Sequence, residues 1–154
     1  RVLALSKVFT DAGLRAPVRK RIRDDIWVKF WGNLSFNPVS VLTGATLGQI
    51  GGNARLREVI KSMMCEAKEI GERLGVTFPV DVDRRINGAT EVGDHKTSSL
   101  QDLEAGKAIE LDALLGVVCE LGELTGVKTP TCNVVYSLAC QRASLAGSYQ
   151  FPAF

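Results

Sequence analysis

Apolar residues at Val2, Leu5, Val8 and Phe9 recur three and four positions apart and the run stops at Gly13. This pattern predicts the last part of a helix closed by a left-handed glycine. A second helix is predicted from about Arg23 to Leu34, with Ile26, Trp27, Phe30, Trp31 and Leu34 on its apolar side. Pro38 is expected to end or bend it. Gly44, Gly48, Gly51 and Gly52 make the next stretch permissive, which favours short helical turns. Asn53 is placed to cap a long helix running to Leu74, with Gly75 as its stop. The core face of that helix would hold Val59, Ile60, Met63, Met64, Ala67, Ile70 and Leu74.

Pro79 and Asp81 predict the opening of a shorter helix to about Ala89. Residues 98–126 read as helical with a break near Gly106, followed by Leu111, Leu114, Leu115, Val118 and Leu121 on one side. Thr131 after Pro130 is expected to cap a final helix carrying Val134, Val135, Leu138 and Ala139. No long period-2 run of β-branched residues occurs, so the fold class is all-α. There is no internal repeat, and the closing AGSYQFPAF is a tail that can dock through Tyr149, Phe151 and Phe154.

The 154 residues, 45% hydrophobic and 23% charged, fit one domain spanning 1–154. A chain of this size buries roughly two-thirds of its unfolded surface and needs no disulfide or structural metal to hold it. Apolar runs are interrupted too often to cross a membrane. The net charge of +2 gives no compositional support for nucleic-acid binding. The basic run RAPVRKRIR, residues 15–23, is followed by Asp24 and Asp25 and reads as a solvated helix entry rather than an anion-binding patch. Four cysteines without a CxxC pair, set mostly among helical apolar residues, suit a reducing, cytoplasmic setting. The sequence shows no secretory leader, and its start at Arg1 inside an amphipathic pattern suggests a piece of a longer chain.

In WVKFWGNLSFN, Lys29, Asn33 and Asn37 stand four residues apart and advance only about 40° per step on a helix, so they share one edge. An ammonium and two amides there can bind a carboxylate and a carbonyl or hydroxyl. A solvated polar stripe beside an apolar face is the alternative reading of the same spacing. Ser98 begins a helix-like stretch, where capping is the structural explanation. Glu110, between Ile109 and Leu111, sits in a locally apolar setting in which a carboxylate needs a partner or a ligand. Twelve residues of straight helix would separate Ser98 and Glu110 by about 18 Å, so a break at Gly106 is required for both to touch one ligand. His95 is the sole histidine, no catalytic triad or metal set can be assembled, and no phosphate-cradling glycine motif occurs.

Taken in order, IWVKFWGNLSFNPVSVLTG, HKTSSLQDLEAGKAIELDALLG and GVKTPTCNVVYSL resemble the C-terminal helical domain of the ketopantoate reductase (2-dehydropantoate 2-reductase) family, and the resemblance covers nearly the whole chain. It implies a multi-helix domain of the 6-phosphogluconate dehydrogenase C-terminal-like type, partnered by an N-terminal Rossmann domain that this sequence does not contain. The implied reaction is NADPH-dependent reduction of 2-dehydropantoate to (R)-pantoate on the route to pantothenate and coenzyme A. NADPH would be bound mainly by the Rossmann domain, so this stretch alone is expected to be inactive.

By that resemblance Lys29 is the general acid, Asn33 and Asn37 hold the substrate's hydroxyl and neighbouring oxygens, and Ser98 binds its carboxylate. Glu110 is the acidic residue near cofactor and active site, with a catalytic and a cofactor-binding role. An ammonium suits ketone reduction because negative charge builds on the oxygen. The sequence departs from the family at Ser99, where methionine is usual, and at Ala108-Ile109 before the glutamate. A paralogue reducing another branched 2-keto acid and a helical dimerisation module without chemistry are the competing readings; homodimerisation and the choice between NADPH and NADH stay open.

Overall fold

The helix expected to end near Leu34 runs on to Thr43, and the rest of the fold is arranged around it. The structure, a computed structural model, describes residues 1–152. In chain order the helices are α1 (Val2–Asp11), α2 (Ile22–Thr43), α3 (Leu47–Gly52), α4 (Ala54–Arg73), α5 (Val82–Thr90), α6 (Ser98–Glu104), a π-helical turn (Asp112–Gly116), α7 (Val117–Thr125) and α8 (Pro130–Leu145). The described residues contain no strand.

From Trp31 onward α2 is buried almost all round, with Trp31, Leu34, Phe36, Val39 and Val41 in the core. A helix of that kind belongs in the middle of a domain, and α2 touches α3, α4, α5, α6, α8 and the π turn. This burial explains why Pro38 does not end it. A proline in a helix interior costs about 3 kcal/mol through one lost hydrogen bond and a steric clash. Each large apolar side chain buried nearby returns about 1.5–3 kcal/mol, and residues 34–41 are all buried. The helix stops instead at Gly44, whose φ of +69° is left-handed. The Trp31 indole N–H donates to the Met64 carbonyl at 2.6 Å, locking α2 to α4.

Asn53 caps α4 as its type predicts, its side-chain oxygen accepting from the N–H groups of Arg55 and Leu56. Ile60, Met63, Met64, Ala67 and Ile70 are buried on one face, with Val59 partly so. Leu74 is exposed, because it follows the last helical residue and lies beyond that face. Ile26 is likewise exposed, as are Val2, Leu5, Val8 and Phe9; α1 has no buried residue. Their helical spacing predicts an amphipathic face, and within the described residues nothing covers it.

The final helix departs from expectation at its start. Pro130 is its first residue, and Thr131 does not cap it. The N–H groups of Thr131 and Cys132 donate to the Glu66 carboxylate of α4, each at 2.9 Å, so a charge from a neighbouring helix satisfies the orphan donors. Val135 and Ala139 are buried as predicted, whereas Val134 and Leu138 face outward, opposite the strip made by Cys132, Val135, Ala139, Cys140 and Ala143.

A second, smaller core joins Val41, Leu100, Leu103, Ile109, Leu111 and Ala139. It fastens α6 beside the C-terminal end of α2. The chain breaks after α6 at Gly106, φ +66°, where the sequence predicts a break. The tail docks through Tyr149, whose hydroxyl donates to Asp112 at 2.7 Å. Phe151 lies edge-on to Tyr149 and stays half exposed. Phe154 lies outside the described residues.

Candidate active site

The polar edge of α2 opens onto a cavity of about 380 Å³. Lys29, Asn33 and Asn37 all line it, while Trp31 and Leu34 turn into the core and Trp27 and Phe30 are half-buried. Along the helix the three side chains grade from exposed Lys29 through half-buried Asn33 to Asn37, which is 6% exposed. The spacing thus carries a charge at the rim and an amide at the base. The Asn37 amide nitrogen donates to the Ser99 hydroxyl at 3.1 Å.

The facing wall comes from α5 and from the chain entering α6. Leu47 and Gly48 of α3 donate their N–H groups to the carbonyls of His95 and Gly93, holding that loop in place and setting His95 at the cavity. Capping of α6 falls to Thr97, whose hydroxyl accepts from the Leu100 N–H at 3.2 Å. Ser98 is therefore not the cap; it is the first helical residue, exposed and lining the cavity.

Glu110 does not join this group. Its neighbours Ile109 and Leu111 are buried, but Glu110 itself is exposed, so the apolar setting read from the sequence does not hold. The reason is local: 107–110 is not helical, and the Ile109 N–H donates to the Ser148 carbonyl, turning that side chain inward and the next one out. The cavity's lining excludes Glu110. The structure brings together Lys29, Asn33, Asn37 and Ser98.

Sequence reasoning missed Arg85. It lies on α5 four residues before buried Ala89 and three after buried Val82, at the edge of the inner face, and that position was the available signal. Its guanidinium lies over Gly32 of α2, where a Cβ would stand 2.9 Å from the guanidinium carbon. The absence of a side chain at 32 makes its room.

The cavity is lined by Lys29 and Arg85 and by no aspartate or glutamate. Neither cation forms an ion pair among the described residues. Burial lowers the Arg85 pKa, as expected of a cation that has lost water without gaining a counter-charge. The basic run at 15–23 is different: Arg19 pairs with Asp25 and Arg21 with Asp24. The cavity therefore carries positive charge with no carboxylate in its lining, and its amides and serine hydroxyl can orient a small anionic oxygen compound. Among the described residues no cluster of His, Cys, Asp and Glu is placed to hold a metal ion, and no helix is long and apolar enough to cross a membrane.

Residues 21–143 match the family described as ketopantoate reductase PanE/ApbA C terminal. A 2-dehydropantoate 2-reductase of Mesorhizobium japonicum is 54% identical over 149 residues, which make up 97% of this chain and 46% of that protein. One from Archaeoglobus fulgidus is 30% identical over 124 residues, 80% of this chain and 42% of that protein. The crystal structure of 2-dehydropantoate 2-reductase from Methylococcus capsulatus superposes with a TM-score of 0.85 at 29% identity, covering 97% of this chain and 52% of the other. The chain spans about half the length of the curated relatives it matches.

Proposed function

This chain belongs to the ketopantoate reductase family, matching its C-terminal domain, and from that premise we propose that it forms the substrate-binding half of an NADPH-dependent 2-dehydropantoate 2-reductase. The observation that carries the reading is the cavity in which Lys29, Asn33, Asn37 and Ser98 converge without an opposing carboxylate. A 2-keto acid presents a carboxylate and a polarisable carbonyl, which call for the charge and hydrogen-bond donors found there.

In this reading the Lys29 ammonium donates to the C2 carbonyl oxygen, stabilises the charge that builds on it and delivers the proton that completes the alcohol. Asn37, held by Ser99, and Asn33 one turn away fix the hydroxyl and neighbouring oxygens; Ser98 donates to the carboxylate. NADPH, when bound, would supply the hydride that C2 accepts. Lys29 is exposed at the rim, which leaves the cavity open beside its ammonium. The described residues carry no glycine-rich strand–turn–helix, so a Rossmann domain acting with this one would hold most of the dinucleotide. A catalytic and cofactor-binding role for Glu110 rests on the family pattern alone, since it lies outside the cavity's lining.

The test is to supply the natural protein with 2-dehydropantoate and NADPH and follow loss of the reduced nicotinamide together with formation of (R)-pantoate. Stoichiometric conversion is expected. Absence of turnover with this acid would overturn the reading.

A further inference from the structure

The polar contacts of the cavity leave one strong group without a task. Arg85 is half-buried between α5 and α2, and among the described residues its one hydrogen bond runs from Nε to the Val28 carbonyl at a long 3.4 Å. A guanidinium has five N–H donors, so most of them have no hydrogen-bond partner among the described residues. Holding a partly buried cation without a counter-charge is costly, and an anion bound in the cavity would offset that cost. Two features show that the position is shaped rather than incidental. Gly32 gives up its side chain where the guanidinium rests, and Gly88 and Ala89 keep the neighbouring wall low.

We propose that Arg85 is a substrate-binding residue that pairs with the carboxylate of the 2-keto acid and makes the site select anionic over neutral carbonyl compounds. The inference rests on the reductase reading for the identity of the acid and for Lys29 acting at the ketone. With Lys29 committed to the carbonyl oxygen, Arg85 is the remaining cation of the cavity, and its fork matches a carboxylate as an ammonium does not. Ser98 adds a hydrogen bond to that group and Arg85 supplies the charge.

The experiment compares 3-methyl-2-oxobutanoate with 3-methyl-2-oxobutanamide, which share a carbon frame and differ in charge. Both are titrated calorimetrically into the natural protein and tested for reduction, using wild type, Arg85→Gln and Arg85→Lys. Wild type is expected to prefer the acid, and Arg85→Gln to lose about 10- to 100-fold of that preference while its constants for the amide change little. Arg85→Lys should restore part of it. A preserved preference in Arg85→Gln, or equal losses for acid and amide, would overturn the proposal. Should Arg85→Gln not fold, Arg85→Met takes its place, and a preference preserved in that variant overturns the proposal equally. Binding of the acid that depends on Arg85, with no turnover of 2-dehydropantoate by the same protein, would sink the reductase reading and leave this one standing.

Discussion

Asn37 and Ser99, 62 positions apart in sequence, meet at 3.1 Å, the amide nitrogen donating to the hydroxyl in a buried setting. Ser99 thereby steadies the most buried amide of the cavity. Ser99→Ala leaves that donor unpaired, which costs about 1–3 kcal/mol and lets the amide turn. The melting temperature should fall, and KM for the keto acid should rise about 3- to 10-fold with a smaller change in kcat. Ser99→Thr should retain most of both. Unchanged melting and KM in Ser99→Ala would remove Ser99 from the site.

The cysteines are expected to separate by accessibility. All are free; Cys65 is exposed, Cys119 is half-buried, and Cys132 and Cys140 are buried. Burial raises the pKa of the last three and so disfavours their reactive thiolates. Titration of the folded protein with a chromogenic disulfide should show one fast thiol, abolished in Cys65→Ser, with the others released by denaturant. Two or more fast thiols would contradict the packing of α7 and α8.

Between α4 and α5, Lys61 and Arg57 both reach Asp83. Hydrogen bonding from Lys61, with further contributions from its charge and from Arg57, holds the Asp83 carboxyl below its usual range. Because the folded value lies below the unfolded one, the contribution is present above about pH 4 and is lost as pH falls through the folded value. The melting temperature of Asp83→Asn should lie slightly below wild type near pH 7, and the gap should close at low pH and in high salt. A gap independent of pH would show that the ion pairs do not produce it.

Much of this architecture can be read from spacing and caps. Asn53, Asp81, Gly75 and Gly106 act at the positions their types predict, because capping and left-handed turns are set by one or two residues. What spacing could not show was settled by contacts distant in sequence. Pro38 passes through α2 because helices on several sides bury its neighbours, and the cap of α8 comes from Glu66 rather than from Thr131. The site divides in the same way. Lys29, Asn33 and Asn37 share a helix edge and were legible, whereas Arg85 enters from another helix through the notch at Gly32, and Glu110 is turned outward by the Ile109 contact with Ser148.

The most direct measurement is kcat of the natural protein carrying Lys29→Ala, with 2-dehydropantoate and NADPH both saturating. Lys29 is exposed at the cavity rim and has no ion-pair partner among the described residues, so its removal should alter stability by about 0.5 kcal/mol or less. As the proposed proton donor that also stabilises the developing alkoxide, its loss should lower kcat by about 100-fold or more. A folded Lys29→Ala protein that turns over at the wild-type rate would contradict the account and return this lysine to a solvated stripe.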